Sequence, residues 1–119
     1  MIYVFDIDGT ICTQTQGNYD LAEPFLDRIE KINNLYEGGN KIMYMTARGM
    51  GRSNNNRDLA YGKFYEFTHK QLTNWGAKFH ELYLGKPQAD IFVDDRGQWS
   101  ELFFKDIKRR VNEELFDEL

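Results

Sequence analysis

The chain has 119 residues, of which 41% are hydrophobic and 29% charged, and its formal net charge is −4. This length suits one globular domain, and the composition is not that of a disordered protein. No apolar run reaches the roughly 20 residues that cross a bilayer, the first residues lack a basic signal-peptide region, and the negative charge argues against loose binding to nucleic acid. We therefore expect a single domain over residues 1–119, in the cytoplasm and without a membrane partner.

Cys12 is the only cysteine, so no internal disulfide can form, which suits a reducing compartment. Neither a Cys-x-x-Cys pair nor clustered histidine predicts zinc. His69 and His80 lie far from the motifs described below and are not expected to bind a ligand. Any metal is therefore expected to have oxygen ligands.

The first half of the chain predicts two strands separated by a helix. "MIYVFD" is a short apolar run that ends before Gly9, and "KIMYMT" is a second such run. Between them, apolar residues recur at three- and four-residue steps from Pro24 until "EGGN", which is typical of a helix packed on one face. The apolar residues of this helix are Phe25, Leu26, Ile29, Ile32, Leu35 and Tyr36.

The second half begins with a polar loop, "ARGMGRSNNNRD", and continues with alternating elements. A helix is predicted from about Asp58 to Trp75, followed by strands at "ELYLG" and "DIFVDD" and by a C-terminal amphipathic helix. The inward residues of the first helix are predicted to be Ala60, Phe64, Phe67, Leu72 and Trp75. Those of the last helix are predicted to be Trp99, Phe103, Ile107, Val111 and Leu115.

This alternation predicts an α/β fold with a mostly parallel sheet covered by helices, in which the ligand site lies beyond the carboxyl ends of the strands. Polar residues fall at or just after those ends: Asp6 and Asp8, Thr46, Lys86, and Asp94–Asp95. Crowded carboxylates repel one another, and a hard cation such as Mg²⁺ relieves the repulsion while leaving room for a phosphate oxygen. A hydroxyl and an ammonium group suit the phosphate itself. The cluster therefore predicts a phosphoryl-transfer site.

The same residues carry a resemblance to a known family. "DIDGT", "IMYMT", "GKP" and "IFVDD" resemble, in order and spacing, the four motifs of the haloacid dehalogenase-like (HAD) hydrolase superfamily. The resemblance covers residues 2–95 and implies a three-layer Rossmann-like fold with helices on both faces of the sheet. Only "ICTQTQGNYDLAE" separates the first motif from the first helix, which leaves no room for a cap domain.

The resemblance also implies a role for each motif residue. Asp6 would be the nucleophile that forms an aspartyl-phosphate, and Asp8 would be the general acid and base. Thr46 would hold the phosphoryl group, and Lys86 would offset its charge. Apart from the resemblance, Ala47 and Arg48 directly follow Thr46 and are also predicted to contact the substrate. Magnesium would be bound by Asp6, by the backbone carbonyl of Asp8 and by Asp95, with Asp94 acting through water. One departure is that Trp99 and Ser100 stand where the family often has a further acid, and Glu101 comes a residue too late.

These features predict a Mg²⁺-dependent phosphatase that hydrolyses a small phosphomonoester. "DGTIC", "GKP" and "VDDR" are similar to small phosphatases of bacterial capsule and surface-sugar pathways, which makes a sugar phosphate the leading substrate class. Three alternatives stay open: a receiver-like phosphate-binding module, a HAD-like protein without catalysis, and a phosphatase of polynucleotide ends. The order of the motifs favours the hydrolase over the receiver, and the acidic charge disfavours the polynucleotide substrate. The oligomeric state, including a homo-oligomer, is also open.

Several residues have two interpretations from the sequence. Taken alone, "DG" is often a turn, Asp94–Asp95 can cap a helix, and Lys86 can be a solvated charge. Arg48 can either contact a phosphate or form a structural ion pair. The loop at 47–58 can either close on an anionic substrate through Arg48, Arg52 or Arg57, or serve as a connector.

Overall fold

A computed structural model describes residues 1–107 of the chain. Strand β1 spans Ile2–Phe5, helix α1 Leu26–Glu37, strand β2 Lys41–Thr46, helix α2 Arg57–Asn74, strand β3 Glu81–Leu84, and the short helix α3 Ser100–Phe103. A single 3₁₀ turn at Tyr19–Leu21 interrupts the loop between β1 and α1. The predicted alternation of strands and helices is confirmed as far as β3.

The three strands form one parallel sheet in the order β1-β2-β3. Phe5 pairs with Tyr44 across the first ladder, and Thr46 pairs with Leu84 across the second. Since parallel strands end at the same edge, the segments that follow Phe5, Thr46 and Leu84 leave the sheet side by side. The protein thus has a Rossmann-like α/β fold, in which the segments that carry Asp6, Thr46 and Lys86 leave the sheet at the same edge.

The core lies between one face of this sheet and the helices. Side chains alternate along a strand, and the buried set of each strand joins buried residues of α1 and α2 in a single apolar cluster. This cluster contains Phe5, Ile29, Ile32, Ile42, Tyr44, Leu72, Leu82, Leu84 and Phe104. On the opposite face Ile2, Val4 and Tyr83 are exposed. The described helices therefore pack on one face of the sheet.

The polar loop before helix α2 provides the residue that caps the start of this helix. The side chain of Asn56 accepts a hydrogen bond from Leu59 N, which caps the helix. Before it, Asn54 and Asn55 adopt left-handed φ angles of 56° and 61°, a conformation that asparagine tolerates better than most residues. The loop also buries Met50. It is a folded turn rather than an extended connector.

The last part of the described chain differs from expectation. Residues 90–95 form no strand, and Ile91, Phe92 and Val93 are exposed, so the prediction of a fourth strand at "DIFVDD" is wrong for this arrangement. Of the C-terminal helix, α3 covers four residues, and the predicted positions Val111 and Leu115 lie outside the described residues. Trp99 is 58% exposed and Phe67 38%, so neither is the core residue that helical spacing predicted.

Within residues 1–107, no helix combines the length and the apolar character needed to cross a membrane.

Candidate active site

A cavity of about 490 Å³ opens at the carboxyl edge of the sheet. Its walls come from the loops after β1, β2 and β3, as the strand order predicts. Of the residues proposed from the sequence, it brings together Asp6, Asp8, Thr46, Ala47, Arg48 and Lys86. Asp94 and Asp95 do not line it.

Asp6 and Lys86 form the charged pair of this cavity. Lys86 Nζ lies 3.6 Å from Asp6 Oδ1. Burial raises the pKa of the Asp6 carboxyl, an effect that the charge of Lys86 and a hydrogen bond from the Ile7 backbone only partly oppose. The backbone of Lys86 is itself tied to β2, because Lys86 N donates to Thr46 O at 3.2 Å. An incompletely solvated carboxylate beside a single ammonium group is suited to react with an electrophile that carries negative charge.

Asp8 is held by Arg48 rather than by solvent. Arg48 Nε donates to Asp8 Oδ2 at 2.9 Å, and Arg48 Nη2 donates to Asp8 Oδ1 at 3.0 Å. The Arg48 side chain has no exposed surface. Of the two interpretations that the sequence left open for Arg48, the structure shows the ion pair, because both edges of the fork face Asp8 and the helix behind it.

Two polar residues of α2 hold Arg48 in this position. Arg48 Nη1 donates to Gln71 Oε1 at 2.7 Å and to Thr68 Oγ1 at 3.4 Å. Thr68 is fully buried, and a buried polar group is stable only when it is hydrogen-bonded. Sequence reasoning missed both residues. The available signal was a polar pair three residues apart, Thr68 and Gln71, on the face of α2 that also carries Phe64 and Leu72.

Thr46, the last residue of β2, offers its hydroxyl to the cavity. Its Oγ1 accepts a hydrogen bond from Arg48 N at 3.2 Å, which turns the chain sharply after the strand. Since that bond uses the oxygen as an acceptor, the hydroxyl hydrogen is left to donate. This is the polarity that a phosphoryl oxygen requires.

Tyr19 joins the two loops that flank the cavity, and it was not singled out from the sequence. Tyr19 Oη accepts from Gly49 N at 2.9 Å, while Tyr19 O accepts from Gln71 Nε2 at 2.8 Å. The guanidinium carbon of Arg48 lies 4.8 Å from the centre of the Tyr19 ring. An aromatic residue in the otherwise polar "TQTQGNYD" was the one available signal.

The fourth predicted motif lies apart from this cavity. Asp94 Oδ1 accepts from Arg96 N at 2.8 Å, and this hydrogen bond lowers the pKa of Asp94. Asp95 makes a long ion pair of 4.0 Å with Arg96, and its side chain is 88% exposed. The expectation that these two acids converge with Asp6 and Asp8 therefore fails, because without the fourth strand nothing carries them to the carboxyl edge beside β1.

Magnesium does not fit the side chains as they stand. Residues 1–107 contain no group of at least three His, Cys, Asp or Glu side chains that could hold a metal ion. Asp6 has a cation at 3.6 Å, and both oxygens of Asp8 accept from Arg48. The backbone oxygen of Asp8, the other predicted ligand, accepts from Gln14 Nε2 at 3.3 Å. These side chains can therefore be assigned chemical roles without a metal ion.

The remaining polar candidates have structural roles. Glu101 forms a buried ion pair with Arg28, Nη2 to Oε1 at 2.8 Å, and Arg28 Nη1 also donates to Thr10 O at 3.0 Å. His80 Nδ1 accepts from Ile42 N at 3.0 Å, and His69 packs against the ring of Phe79. Glu101 thus anchors α3 to Arg28 of α1, and through Arg28 to the loop after β1, instead of supplying a further acid to the cavity.

Cys12 is a core residue next to the site. It is fully buried, its Sγ lies 3.6 Å from Asp8 Oδ1, and burial raises the pKa of the thiol to about 12. A thiol with so high a pKa is inert as a nucleophile.

No family model and no curated protein matches the chain. The fold is similar to that of an MCSG target from Vibrio cholerae whose crystal structure is known. The TM-score is 0.79, and the two sequences are 24% identical over 98% of this chain and 97% of that chain. At this identity the likeness shows a shared fold, so function has to be argued from the side chains of the cavity.

Proposed function

We propose that this protein is a phosphomonoester hydrolase of the haloacid dehalogenase-like type. The observation that carries the proposal is the Asp6 carboxylate, placed 3.6 Å from Lys86 Nζ in a cavity that also contains Asp8 and Thr46. A carboxylate with a raised pKa, a matched ammonium group and a donating hydroxyl are the groups that phosphoryl transfer to an enzyme carboxylate requires.

In the first step an oxygen of Asp6 bonds to phosphorus while the bond from phosphorus to the leaving oxygen breaks. Lys86 and Thr46 stabilise the charge on the phosphoryl oxygens, and Asp8 donates a proton to the leaving alcohol. In the second step water attacks phosphorus, its proton returns to Asp8, and the bond between Asp6 and phosphorus breaks. The products are the alcohol and inorganic phosphate.

The proton in this scheme has a specific place on Asp8. Oδ1 accepts from Arg48 Nη2 and also has the Cys12 thiol at 3.6 Å, whereas Oδ2 accepts from Arg48 Nε alone. Each carboxylate oxygen has two lone pairs. Oδ2 therefore keeps a lone pair that can carry the transferred proton, and Arg48 acts as a positioning residue that keeps Oδ2 in place.

The cavity walls support a small polyhydroxy leaving group such as a sugar. Neutral hydrogen-bonding side chains from the loop after β1 and from the segment after Lys86 line it: Gln14, Thr15, Gln16, Tyr19 and Gln88. Amides and hydroxyls can both donate to and accept from sugar hydroxyls.

Two finer features belong to the proposal: a three-layer fold, of which residues 1–107 provide the sheet and the helices on one face, and the absence of a cap domain. Together they would leave the cavity mouth framed only by the loops after the strands. The dependence on Mg²⁺ that the sequence predicted is kept separate from this reaction scheme, because it needs Asp95 to reach the cavity, which the arrangement of residues 90–95 does not provide. It is tested by comparing rates in added Mg²⁺ with rates in a chelator.

The decisive experiment is phosphate release from a panel of sugar phosphates, nucleotides, phosphorylated DNA ends and an aryl phosphate. Asp6→Asn should lower kcat by at least about 10³-fold, because the nucleophile is removed while the shape of the side chain is kept. Asp58→Asn, which changes an exposed aspartate on α2, is the matched control and should keep full activity. Equal activity in wild type and Asp6→Asn would refute the proposed nucleophile.

A phosphate-binding module without turnover is the second candidate. The observation that favours it is the double hydrogen bond from Arg48 to Asp8, which occupies both oxygens of the proposed acid. Calorimetric binding of inorganic phosphate by a protein that releases none from the whole panel would support this candidate over the hydrolase.

A further inference from the structure

Contacts within the protein hold the Arg52 side chain against one wall of the cavity. Its Nη2 donates to Gly17 O at 2.6 Å. Its guanidinium carbon lies 5.4 Å from the centre of the Tyr19 ring and 5.0 Å from that of Phe64. Two cation–π contacts and a hydrogen bond restrict a side chain that is otherwise among the most flexible. Much of the ordering cost of binding an anion is therefore already met.

The backbone opposite is built to let Arg52 approach. A Cβ atom at Gly17 would lie 2.5 Å from Arg52 Nη2, and Gly17 has a φ of +94°. Any other residue there would be strained by this φ angle, and its Cβ atom would displace the end of the Arg52 side chain from its present position. Glycine at position 17 therefore leaves the space that the Arg52 guanidinium occupies.

Arg52 differs from the other cavity arginine in its charge balance. Arg48 is neutralised by Asp8, and outside the cavity Arg28 and Arg96 pair with Glu101 and Asp95. Within residues 1–107 Arg52 has no carboxylate partner, although it lines the cavity. A guanidinium has five N–H donors in a planar fork, and one bond to Gly17 leaves an edge that fits a pair of anionic oxygens.

Besides Arg48, which is paired with Asp8, the cavity has two separately placed cations, Lys86 and Arg52. Lys86 stands between Asp6 and the ring of Phe92, where the reacting phosphoryl group belongs. Arg52 stands among Gly17, Tyr19 and Phe64, on the wall formed by the loops after β1 and β2. The proposed mechanism gives Arg52 no task.

We propose that the substrate carries a second anionic group, a carboxylate or a second phosphate, and that Arg52 binds it. The inference rests on the proposed hydrolase for the site of the first phosphate. It narrows the substrate class from phosphates of uncharged sugars to phosphorylated sugar acids or bisphosphates. Arg52 is the residue that determines this specificity.

The test uses matched substrate pairs that differ in the second anion. Glucose 6-phosphate is compared with 6-phosphogluconate for a carboxylate, and fructose 6-phosphate with fructose 1,6-bisphosphate for a phosphate. Wild type should prefer the more anionic member of at least one pair, and which pair it is distinguishes the two sources. Arg52→Gln should lower kcat/KM for that member by about tenfold to hundredfold, mainly through KM. For the member without the second anion, kcat/KM should change less than about threefold.

Two further variants separate charge from structure. Arg57→Gln is the control, because Arg57 lies in the same segment but contacts Tyr61 and does not line the cavity; it should change neither substrate. Arg52→Lys keeps the charge without the fork and should retain part of the preference. An equal loss on both members of each pair in Arg52→Gln, or a wild type without any preference, overturns the inference.

Binding measured without turnover keeps this inference distinct from the proposed function. Calorimetry with 6-phosphogluconate and fructose 1,6-bisphosphate is done on wild type and on Arg52→Gln. If no phosphomonoester is hydrolysed and one of the two probes still binds at least tenfold tighter to wild type, the hydrolase fails and the Arg52 site stands. If phosphomonoesters are hydrolysed but neither probe distinguishes the two proteins, the Arg52 site fails and the hydrolase stands.

Discussion

Residues 2–8 and residues 90–95 carry nearly the same local pattern, an apolar run with aromatic and β-branched residues that ends on acids. The first becomes β1 and a packed turn, in which Ile7 is completely buried. The second is an exposed segment in which Val93 keeps 94% of its surface. Their propensities are similar, so propensity does not explain the difference.

The difference lies in their neighbours. Backbone groups of β1 pair with β2 over four residues, and the turn after it closes on itself, with Ile11 N and Thr10 N both donating to Ile7 O. Residues 91–93 pair with no strand among residues 1–107. A strand is stable only with a partner, because an isolated one leaves its polar backbone groups unpaired inside the protein. Equal patterns therefore place one acid pair in a cavity and the other in solvent.

The largest effect we expect comes from truncating one apolar side chain in each of the two runs to alanine. Ile7→Ala should lower the free energy of unfolding by about 3 kcal/mol, since it leaves a cavity beneath the acid pair. Val93→Ala should change it by less than about 0.5 kcal/mol, because the side chain is exposed. Denaturant unfolding measures both. A loss above about 1.5 kcal/mol in Val93→Ala would show that residues 90–95 are packed after all.

A second prediction concerns the anchor that follows the exposed segment. Glu101→Gln should cost about 2 kcal/mol of stability, because Arg28 would keep a buried charge without its counter-ion. Glu30→Gln, at an exposed position on α1, is the control. If Glu101→Gln is neutral in thermal unfolding, the ion pair does not fix α3 to α1, and the exposure of residues 90–95 would then reflect a weakly attached segment of the chain.

A third prediction follows from the raised pKa of Asp6. The folded protein holds this proton more tightly than the unfolded chain, so the stability that Asp6 contributes is present below its unfolded pKa and is lost as pH rises through the folded pKa. Asp6→Asn should therefore raise the melting temperature at pH 7, with the difference vanishing at acid pH. Thermal unfolding from pH 3 to 8 measures it. A melting temperature of Asp6→Asn that is lower at pH 7 would contradict the raised pKa.

The same shift predicts how activity depends on pH. In the proposed mechanism Asp6 must be ionised to attack phosphorus, so the acid limb of the kcat/KM profile should lie above the usual pKa of about 3.9 for aspartate. This limb and the stability transition should fall in the same pH range, because both report one carboxyl group.

The smallest effect is expected at Asp95. In a chelator, Asp95→Asn should leave phosphate release within about twofold of wild type, because the side chain is exposed and outside the cavity. Asp90→Asn is the control. In added Mg²⁺, a loss of phosphate release greater than about tenfold in Asp95→Asn but not in Asp90→Asn would contradict the contrast between the two segments. Residues 90–95 would then have to reach the edge of β1.

The sequence alone determined the order of elements through β3 and the edge of the sheet at which the candidate site lies. Hydrophobic period and turn residues are local signals, which is why β1, α1, β2, α2 and β3 follow the predicted pattern closely. Parallel strands end at one edge, so the positions of Asp6, Thr46 and Lys86 along the chain sufficed to bring them to one cavity. No knowledge of side-chain packing was needed for that step.

Only the tertiary structure decided which groups pair inside the cavity and which segment stays outside it. Arg48 turns to Asp8 because Gln71 and Thr68 of α2 stand behind it, and Arg52 is fixed because Tyr19 and Phe64 approach from two different segments. These contacts join residues far apart in the chain, and no local period encodes them. For the same reason the pattern at 90–95 did not become a strand: pairing depends on a partner elsewhere in the chain, whereas helices and turns depend mainly on their own residues.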